Sequence, residues 1–136
     1  MHDTRPTGTP VDLATHDLHL LAGGALRADE RRFEDGEPDQ RTAAIFHVET
    51  DEDGHAAEWE MHPSGDEAVC CLRGAIRLYL RAAEPGTPDD VVRLLPGQAA
   101  IVPRDRWHRF EVDEPTDLLA VTPRHGTRLE SRAPTP

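Results

Sequence analysis

Short apolar runs, separated by Gly, Pro and Asp, predict β-strands along most of the chain. A segment between residues 11 and 26 is apolar but interrupted by Gly23 and Gly24, which predicts short edge strands joined by a turn. The other predicted strands are residues 43–50, 75–82, 89–95 and 118–122. Because no repeat, heptad or long helical period is present, we expect an all-β protein.

The ends of the chain and one internal segment differ from the rest. Residues 1–10 and 127–136 are polar and contain Pro, so we expect flexible tails. The remaining residues, 11–126, suit a single β-barrel domain with a sizeable core. Residues 27–40 are charged and contain Gly and Pro, which indicates a surface loop or a flap over the barrel mouth.

The composition is acidic, with a formal net charge of -11 from 26 Asp and Glu against 15 basic residues, all of them Arg. Nucleic acid and anionic membranes are therefore poor partners, since both require a positive surface. No apolar run approaches the ~20 residues needed to span a membrane, and no signal segment opens the chain, so we expect a cytoplasmic protein. The adjacent Cys70 and Cys71 would point to opposite faces of a strand, which predicts reduced core residues rather than a disulfide.

Candidate metal ligands are concentrated in the segment from Gly54 to Gly74. Glu60 and His62 are two residues apart, so on a strand both side chains leave the same face. After a turn, Glu67 opens a second strand that folds back beside the first, and His108 stands at the head of a further strand. Two His and two carboxylates at one barrel mouth favour a site for a divalent ion.

These segments resemble the paired motifs of the cupin superfamily. The first motif, G(x)5HxH(x)3-4E(x)6G, is matched at every interval by Gly54, Glu60, His62, Glu67 and Gly74, with Glu60 in the first His position. The second, G(x)5PxG(x)2H(x)3N, is met by Gly97, Pro103 and His108, with Asp105 and Val112 where Gly and Asn are usual. The resemblance extends to single-domain bacterial cupins through residues 59–63, 65–67 and the pair Thr122-Pro123. It implies a double-stranded β-helix or jelly-roll barrel, and a homodimer formed through the N-terminal strands.

The ligand types indicate which ion such a site would take. Two carboxylates and two neutral imidazoles balance a divalent charge and form an oxygen-rich set, which favours Mn or Fe(II), with Zn or Ni as further possibilities. The alternative interpretation is that Glu60 marks a site that has lost its metal.

A six-coordinate ion with four protein ligands keeps two positions for a small oxygenated organic acid, ketone or phenol. With iron(II), the resemblance makes a dioxygenase the leading hypothesis; with the other ions we expect Lewis-acid isomerase, lyase or hydrolase chemistry. Glu67 is the candidate catalytic base in either case. The alternative is a barrel that binds or senses a small molecule without turnover.

Four further residues are candidates for roles in the pocket or the core. Arg77 and Tyr79 share one strand face, which would either hold a substrate carboxylate or lie exposed. Phe110 shares the parity of His108 and is expected to wall the pocket. His47 is expected to be a satisfied core or edge residue.

Overall fold

The computed structural model describes residues 7–132, which form nine strands and one 3₁₀ turn. The strands are β1 (His16–Leu20), β2 (Leu26–Glu30), β3 (Arg41–Val48), β4 (Glu58–Met61), β5 (Glu67–Leu80), β6 (Asp90–Leu94), β7 (Gln98–Val102), β8 (His108–Thr122) and β9 (Arg128–Ser131). The 3₁₀ turn, Ala22–Gly24, joins β1 to β2. The all-β expectation is therefore confirmed. No helix in this range is long and apolar enough to cross a membrane.

All strand pairs are antiparallel, and β8 is the strand that joins the two halves of the barrel. One path of neighbours runs β2-β1-β3-β8-β4-β9, while β5 pairs with β6, β7 and β8. The two longest strands, β5 and β8, pair over most of their lengths. The first and second motifs are brought together by other pairs, because Glu60 of β4 pairs with His108 of β8 and Glu67 of β5 pairs with Val102 of β7.

A bulge at Gly74 allows β5 to stay paired with β8 along both halves. The register shifts between Cys71 and Ile76, and Gly74 has a φ of 91°, in the left-handed region that favours glycine. The Thr116 hydroxyl accepts the backbone N–H of Ala75 at 3.0 Å, which satisfies a donor that the bulge removes from the ladder. Consequently, residues 75–80 of the predicted strand 75–82 are the second half of β5 and not a separate element, and residues 81–82 lie beyond its end.

The core consists of apolar side chains that point into the barrel from alternate residues of the strands. Its fully buried members are Val48, Val69, Cys71, Ile76, Leu78, Leu94, Val102 and Leu118. Cys71 belongs to this core, whereas Cys70 is half-buried, and both thiols are free. The prediction that the two cysteines point to opposite faces without a disulfide is confirmed.

Several predicted boundaries were wrong. Residues 27–30 belong to edge strand β2 and not to a loop, because they pair with β1. Residues 128–131, expected in the C-terminal tail, form β9 and pair with β4. Residues 118–122 are the end of β8. Residues 1–6 and 133–136, the outer parts of the expected tails, lie outside the described range.

Candidate metal centre

Three strands and one turn bring the four predicted ligands together. Glu60 lies on β4 and pairs directly with His108, the first residue of β8. His62 follows β4 immediately, and Glu67 is the first residue of β5. Glu60 and His62 are two residues apart and their side chains therefore point to the same side, as strand parity predicts. The turn between His62 and Glu67 then returns Glu67 to the same place.

One ligand atom from each of Glu60, His62, Glu67 and His108 lies within 4.8 Å of all the others. His62 Nε2 is 2.9 Å from Glu60 Oε1 and 3.5 Å from Glu67 Oε2. His108 Nε2 is 2.9 Å from Glu67 Oε1 and 3.9 Å from Glu60 Oε1. Both imidazoles thus present the same nitrogen to a centre shared with two carboxylates.

Burial differs sharply among the four side chains. Those of His62, Glu67 and His108 are 3 to 6% exposed, whereas that of Glu60 is 42% exposed. Three ligands are therefore shielded from water and the site opens to solvent on the side of Glu60.

The far side of each imidazole is also engaged. His108 Nδ1 is 3.2 Å from the backbone carbonyl oxygen of Arg106, and since a carbonyl only accepts, Nδ1 donates and Nε2 is the nitrogen that faces the carboxylates. His62 Nδ1 is 2.8 Å from the hydroxyl of Thr127. The hydroxyl of Thr122 donates to Glu67 Oε2 at 2.6 Å.

One observation that does not depend on the family resemblance indicates that these four side chains suit a metal ion. His62 Nε2 is buried and makes no properly aligned hydrogen bond, although it lies close to Glu60. A buried polar nitrogen without an aligned hydrogen bond is costly, and coordination to a cation shared with the two carboxylates would satisfy it.

The clustered charges perturb the titration of the site. Burial alone would lower the pKa of His62, but the neighbouring carboxylates of Glu60 and Glu67 outweigh it and raise that pKa to about 9. Burial alone would raise the pKa of the Glu67 carboxyl, but contacts with His108 and His62 lower it well below its ordinary value. Without metal, the buried carboxylate is thus held ionised beside a protonated imidazole.

The loop that carries His108 is tied to the turn that carries His62. Asp105 donates its backbone N–H to the carbonyl oxygen of His62 at 3.1 Å, and its φ of 67° lies in the left-handed region. This conformation explains why Gly is usual at the matching motif position. The backbone N–H of Arg104 donates to Asp66 at 2.8 Å, so the two motifs are joined by hydrogen bonds.

A model of the cupin domain matches residues 46–122, more than half of the chain. The chain belongs to the cupin family. No curated protein matches it significantly.

The solved structures to which the chain is similar have low sequence identity to it. Oxalate decarboxylase of Bacillus subtilis, described with Mn(II) centres, is 20% identical with a TM-score of 0.50, over 67% of this chain and 23% of that one. Oxalate decarboxylase of Lactobacillus farciminis, in a formate complex, is 17% identical with a TM-score of 0.50, over 67% and 26%. Hydroxypropylphosphonic acid epoxidase from S. wedmorenis is 21% identical with a TM-score of 0.48, over 60% and 42%. The cupin described here spans less than half the length of these proteins.

The remaining sequence candidates of this cupin lie away from the ligand cluster. Arg77 and Tyr79 bond to each other at 2.6 Å on the face opposite the buried Leu78, so the exposed-face interpretation is the correct one. His47 is exposed and pairs with Asp117.

Phe110 lies half-buried beside the core, and its ring fits against the backbone of Gly54, where a Cβ would stand 2.5 Å from ring atoms. The first glycine of the cupin motif is therefore a packing requirement in this chain.

Arginines alternate with aromatic rings on the outer face of the strands that hold the ligands. The Arg109 guanidinium is 4.1 Å from the Tyr79 ring centre and 5.1 Å from that of Trp59. The Arg81 guanidinium is 5.5 Å from Trp59 and 4.7 Å from Trp107. We call these five residues the arginine–aromatic row. Such contacts are typically worth about 0.5–1 kcal/mol each at exposed sites and more where the groups are buried, as Trp59 and Arg109 are here.

Sequence reasoning missed the roles of Thr122 and Thr127. Thr127 lies in the segment that its polar composition assigned to a tail, and no spacing relates it to His62 in the chain. Thr122 ends a predicted strand, so its contact with Glu67 became visible only from the pairing of β5 with β8.

Proposed function

We propose that this cupin is a metal-dependent enzyme acting on a small oxygenated organic molecule, with Glu60, His62, Glu67 and His108 as the metal ligands. The observation that carries the proposal is the convergence of four ligand atoms within 4.8 Å around a buried imidazole nitrogen that has no aligned hydrogen-bond partner. Histidine and carboxylate ligands in equal number favour Mn²⁺ or Fe²⁺, with Zn²⁺ or Ni²⁺ as alternatives.

The surrounding residues define how a substrate would approach. The half-exposed Glu60 marks the open side, while the buried His62, Glu67 and His108 exclude water from the rest of the centre. A bound iron(II) ion would supply oxygen activation, and a bound Mn²⁺, Zn²⁺ or Ni²⁺ ion would supply Lewis-acid polarisation. We favour dioxygenase chemistry, in keeping with the resemblance, over isomerase, lyase or hydrolase chemistry.

Two carboxylates compete for the role of proton acceptor. Glu67, the base expected from the sequence, is held by the Thr122 hydroxyl and by both imidazoles. Glu60 is half-exposed on the open side, so it has more freedom to exchange a proton with a substrate. A Glu67→Gln variant that retains metal and full turnover would exclude Glu67 and leave Glu60 as the base.

The first test is elemental analysis of untagged protein purified without chelator. We expect near-stoichiometric metal in the parent and loss of metal in a His62→Ala/His108→Ala variant. The matched control is His47→Ala, because His47 is exposed and pairs only with surface acids. A folded parent that takes up none of the four ions would contradict the proposal and favour a metal-free binding barrel.

Turnover then separates an enzyme from a binding protein. Metal-loaded protein is mixed with a panel of small acids, ketones and phenols while dioxygen consumption and product formation are followed. Dioxygen uptake would support the dioxygenase version, and product without uptake would support Lewis-acid chemistry. Saturable binding without any product across the panel would favour the sensing alternative.

We also propose that a second copy of this chain covers an apolar outer face of the sheet. Cross-strand pairs place its side chains in neighbouring rows from β1 to β7, and they are Leu18, Ala43, Ile45, Ala68, Cys70, Ala99, Ile101, Leu119 and Val121. Ile101 is 62% exposed. None of these residues is charged, in a chain of net charge -11, so a symmetric contact here avoids the repulsion expected for two acidic copies.

Sedimentation velocity tests the dimer. We expect the parent to sediment as a dimer and Ile101→Glu to sediment as a monomer, because a charge would enter the contact. Val91→Glu is the matched control, since Val91 is 53% exposed on β6. A monomeric parent, or a dimeric Ile101→Glu variant, would refute this arrangement.

A further inference from the structure

Two of the four ligands are held by one short stretch of chain, residues 122–127, which we call the 122–127 segment. Its first residue, Thr122, donates its hydroxyl to Glu67 Oε2 at 2.6 Å. Its last residue, Thr127, places its hydroxyl oxygen 2.8 Å from His62 Nδ1. Between them the chain turns from β8 into β9, so the same turn that joins two strands also reaches both ligands.

The contact of Thr127 with Nδ1 determines which nitrogen of His62 directs its lone pair toward the ligand cluster. Nε2 is the nitrogen that points at Glu60 and Glu67, so Nδ1 must carry the proton when Nε2 binds a cation. The Thr127 hydroxyl is the group placed to accept that proton in a hydrogen bond.

The two histidines of the site differ in this respect. His108 is oriented by a backbone carbonyl, that of Arg106, which no side-chain substitution removes. His62 is oriented by a side-chain hydroxyl, so its orientation depends on the identity of residue 127. The site therefore has one support that is fixed by the fold and one that depends on Thr127.

The 122–127 segment is itself anchored from the loop between β2 and β3. Asp35 accepts the backbone N–H of Gly126 at 2.7 Å, and the carbonyl oxygen of Gly36 lies 2.9 Å from His125 Nδ1. Arg124 donates to the carbonyl oxygen of Arg32 at 3.1 Å. The loop thus contacts three consecutive residues immediately before Thr127, which restricts where its hydroxyl can lie.

We infer that Thr127 is a positioning residue of the metal site, which fixes the ring orientation and tautomer of His62. Thr122 correspondingly holds the Glu67 carboxylate by donating its hydroxyl to Oε2. This inference rests on the proposed metal-binding function. Removing such a contact beyond the ligands typically weakens metal affinity about 10- to 100-fold.

The test is a titration of chelator-treated protein with Mn²⁺, with free and bound ion distinguished by electron paramagnetic resonance. Thr127→Val removes the hydroxyl at nearly constant shape, and Thr127→Ser restores it. Thr87→Val is the matched control, because Thr87 lies in the exposed loop between β5 and β6. We expect Thr127→Val to raise the Mn²⁺ dissociation constant about 10- to 100-fold, while Thr127→Ser and Thr87→Val stay near the parent.

The resonance line shape of bound Mn²⁺ gives a readout that loss of stability alone would not change. We expect Thr127→Val to alter this line shape at full occupancy and Thr127→Ser to restore it. If Thr127→Val does not fold, Thr127→Ala replaces it, since alanine adds no atoms to the site.

The outcomes separate the inference from the function on which it rests. A hydroxyl-free variant that binds Mn²⁺ as tightly as the parent, or a serine variant as weak as the valine variant, would overturn the role of Thr127 and leave the metal site intact. A folded parent that binds none of Mn²⁺, Fe²⁺, Zn²⁺ and Ni²⁺ would overturn both.

Discussion

Gly74 offers a sharp test of how the bulge in β5 supports the site. Its φ of 91° is disfavoured for any residue with a Cβ. An added Cβ would also overlap the carbonyl oxygen of Pro115 and the hydroxyl of Thr116, and would stand 2.8 Å from Thr116 Cα. Because these neighbours are mainly backbone atoms, they have little freedom to move aside.

The magnitude follows from the two effects taken separately. A left-handed conformation costs a residue with a Cβ about 1–2 kcal/mol. Forcing an extra carbon into well-packed surroundings typically costs a further ~1–3 kcal/mol. Gly86 is the control that separates them, because its φ is 82° and a Cβ there would meet nothing within 4 Å. We therefore expect Gly86→Ala to lose about 1–2 kcal/mol and Gly74→Ala to lose about 2–5 kcal/mol of unfolding free energy.

The assay is urea unfolding of metal-free protein, analysed by linear extrapolation for the parent and both variants. Mn²⁺ titration of the same samples reports whether the ligands remain assembled, since the bulge sets the register that leads from Gly74 to Glu67 and to His108. Equal losses of unfolding free energy in the two alanine variants would refute the argument that close backbone approach demands glycine at position 74.

The other predictions concern the loops and the titration of the site. The metal-free protein should lose stability with rising pH, because the raised pKa of His62 contributes stability that is complete below pH 6.5 and is lost as the pH rises through about 9. Thermal unfolding at both ends of this window tests it, and an unchanged midpoint in the parent would contradict it. Asp105→Gly should raise the unfolding free energy by up to about 1 kcal/mol and Asp105→Ala should lower it, because residue 105 has a positive φ. Urea unfolding measures both values, and an alanine variant more stable than the glycine variant would contradict this prediction. Asp35→Ala should weaken Mn²⁺ binding less than loss of the Thr127 hydroxyl does, with Glu34→Ala as an unaffected control on the same loop.

The ligand cluster could be predicted from the sequence because the patterns that place its residues are local in the chain. Strand parity alone places Glu60 and His62 on one face, and the turn before Glu67 limits how far the next strand can diverge. His108 required the second motif, whose spacing is that of a turn followed by a strand. The distances among the four side chains then follow from three strands that meet at one mouth.

The residues that support the ligands were not predictable in this way. Thr127 lies 65 positions from His62, and its polar neighbourhood has the composition of a tail, yet β9 gains its place by pairing with β4. The length of β5 was also missed, because a bulge interrupts the alternation of side chains that identifies a strand. Both failures arise where tertiary pairing, and not local pattern, decides the structure.

The arginine–aromatic row makes the surroundings of the ligands accessible to tryptophan fluorescence spectroscopy. The chain has only two tryptophans, and each adjoins a ligand in sequence, Trp59 next to Glu60 and Trp107 next to His108. Their indoles sit under guanidinium groups on the reverse side of the same strands. Tryptophan emission therefore originates beside the candidate metal centre, on the reverse side of the ligand-bearing residues, so occupancy by a paramagnetic ion would be followed through quenching of tryptophan fluorescence in the unlabelled protein.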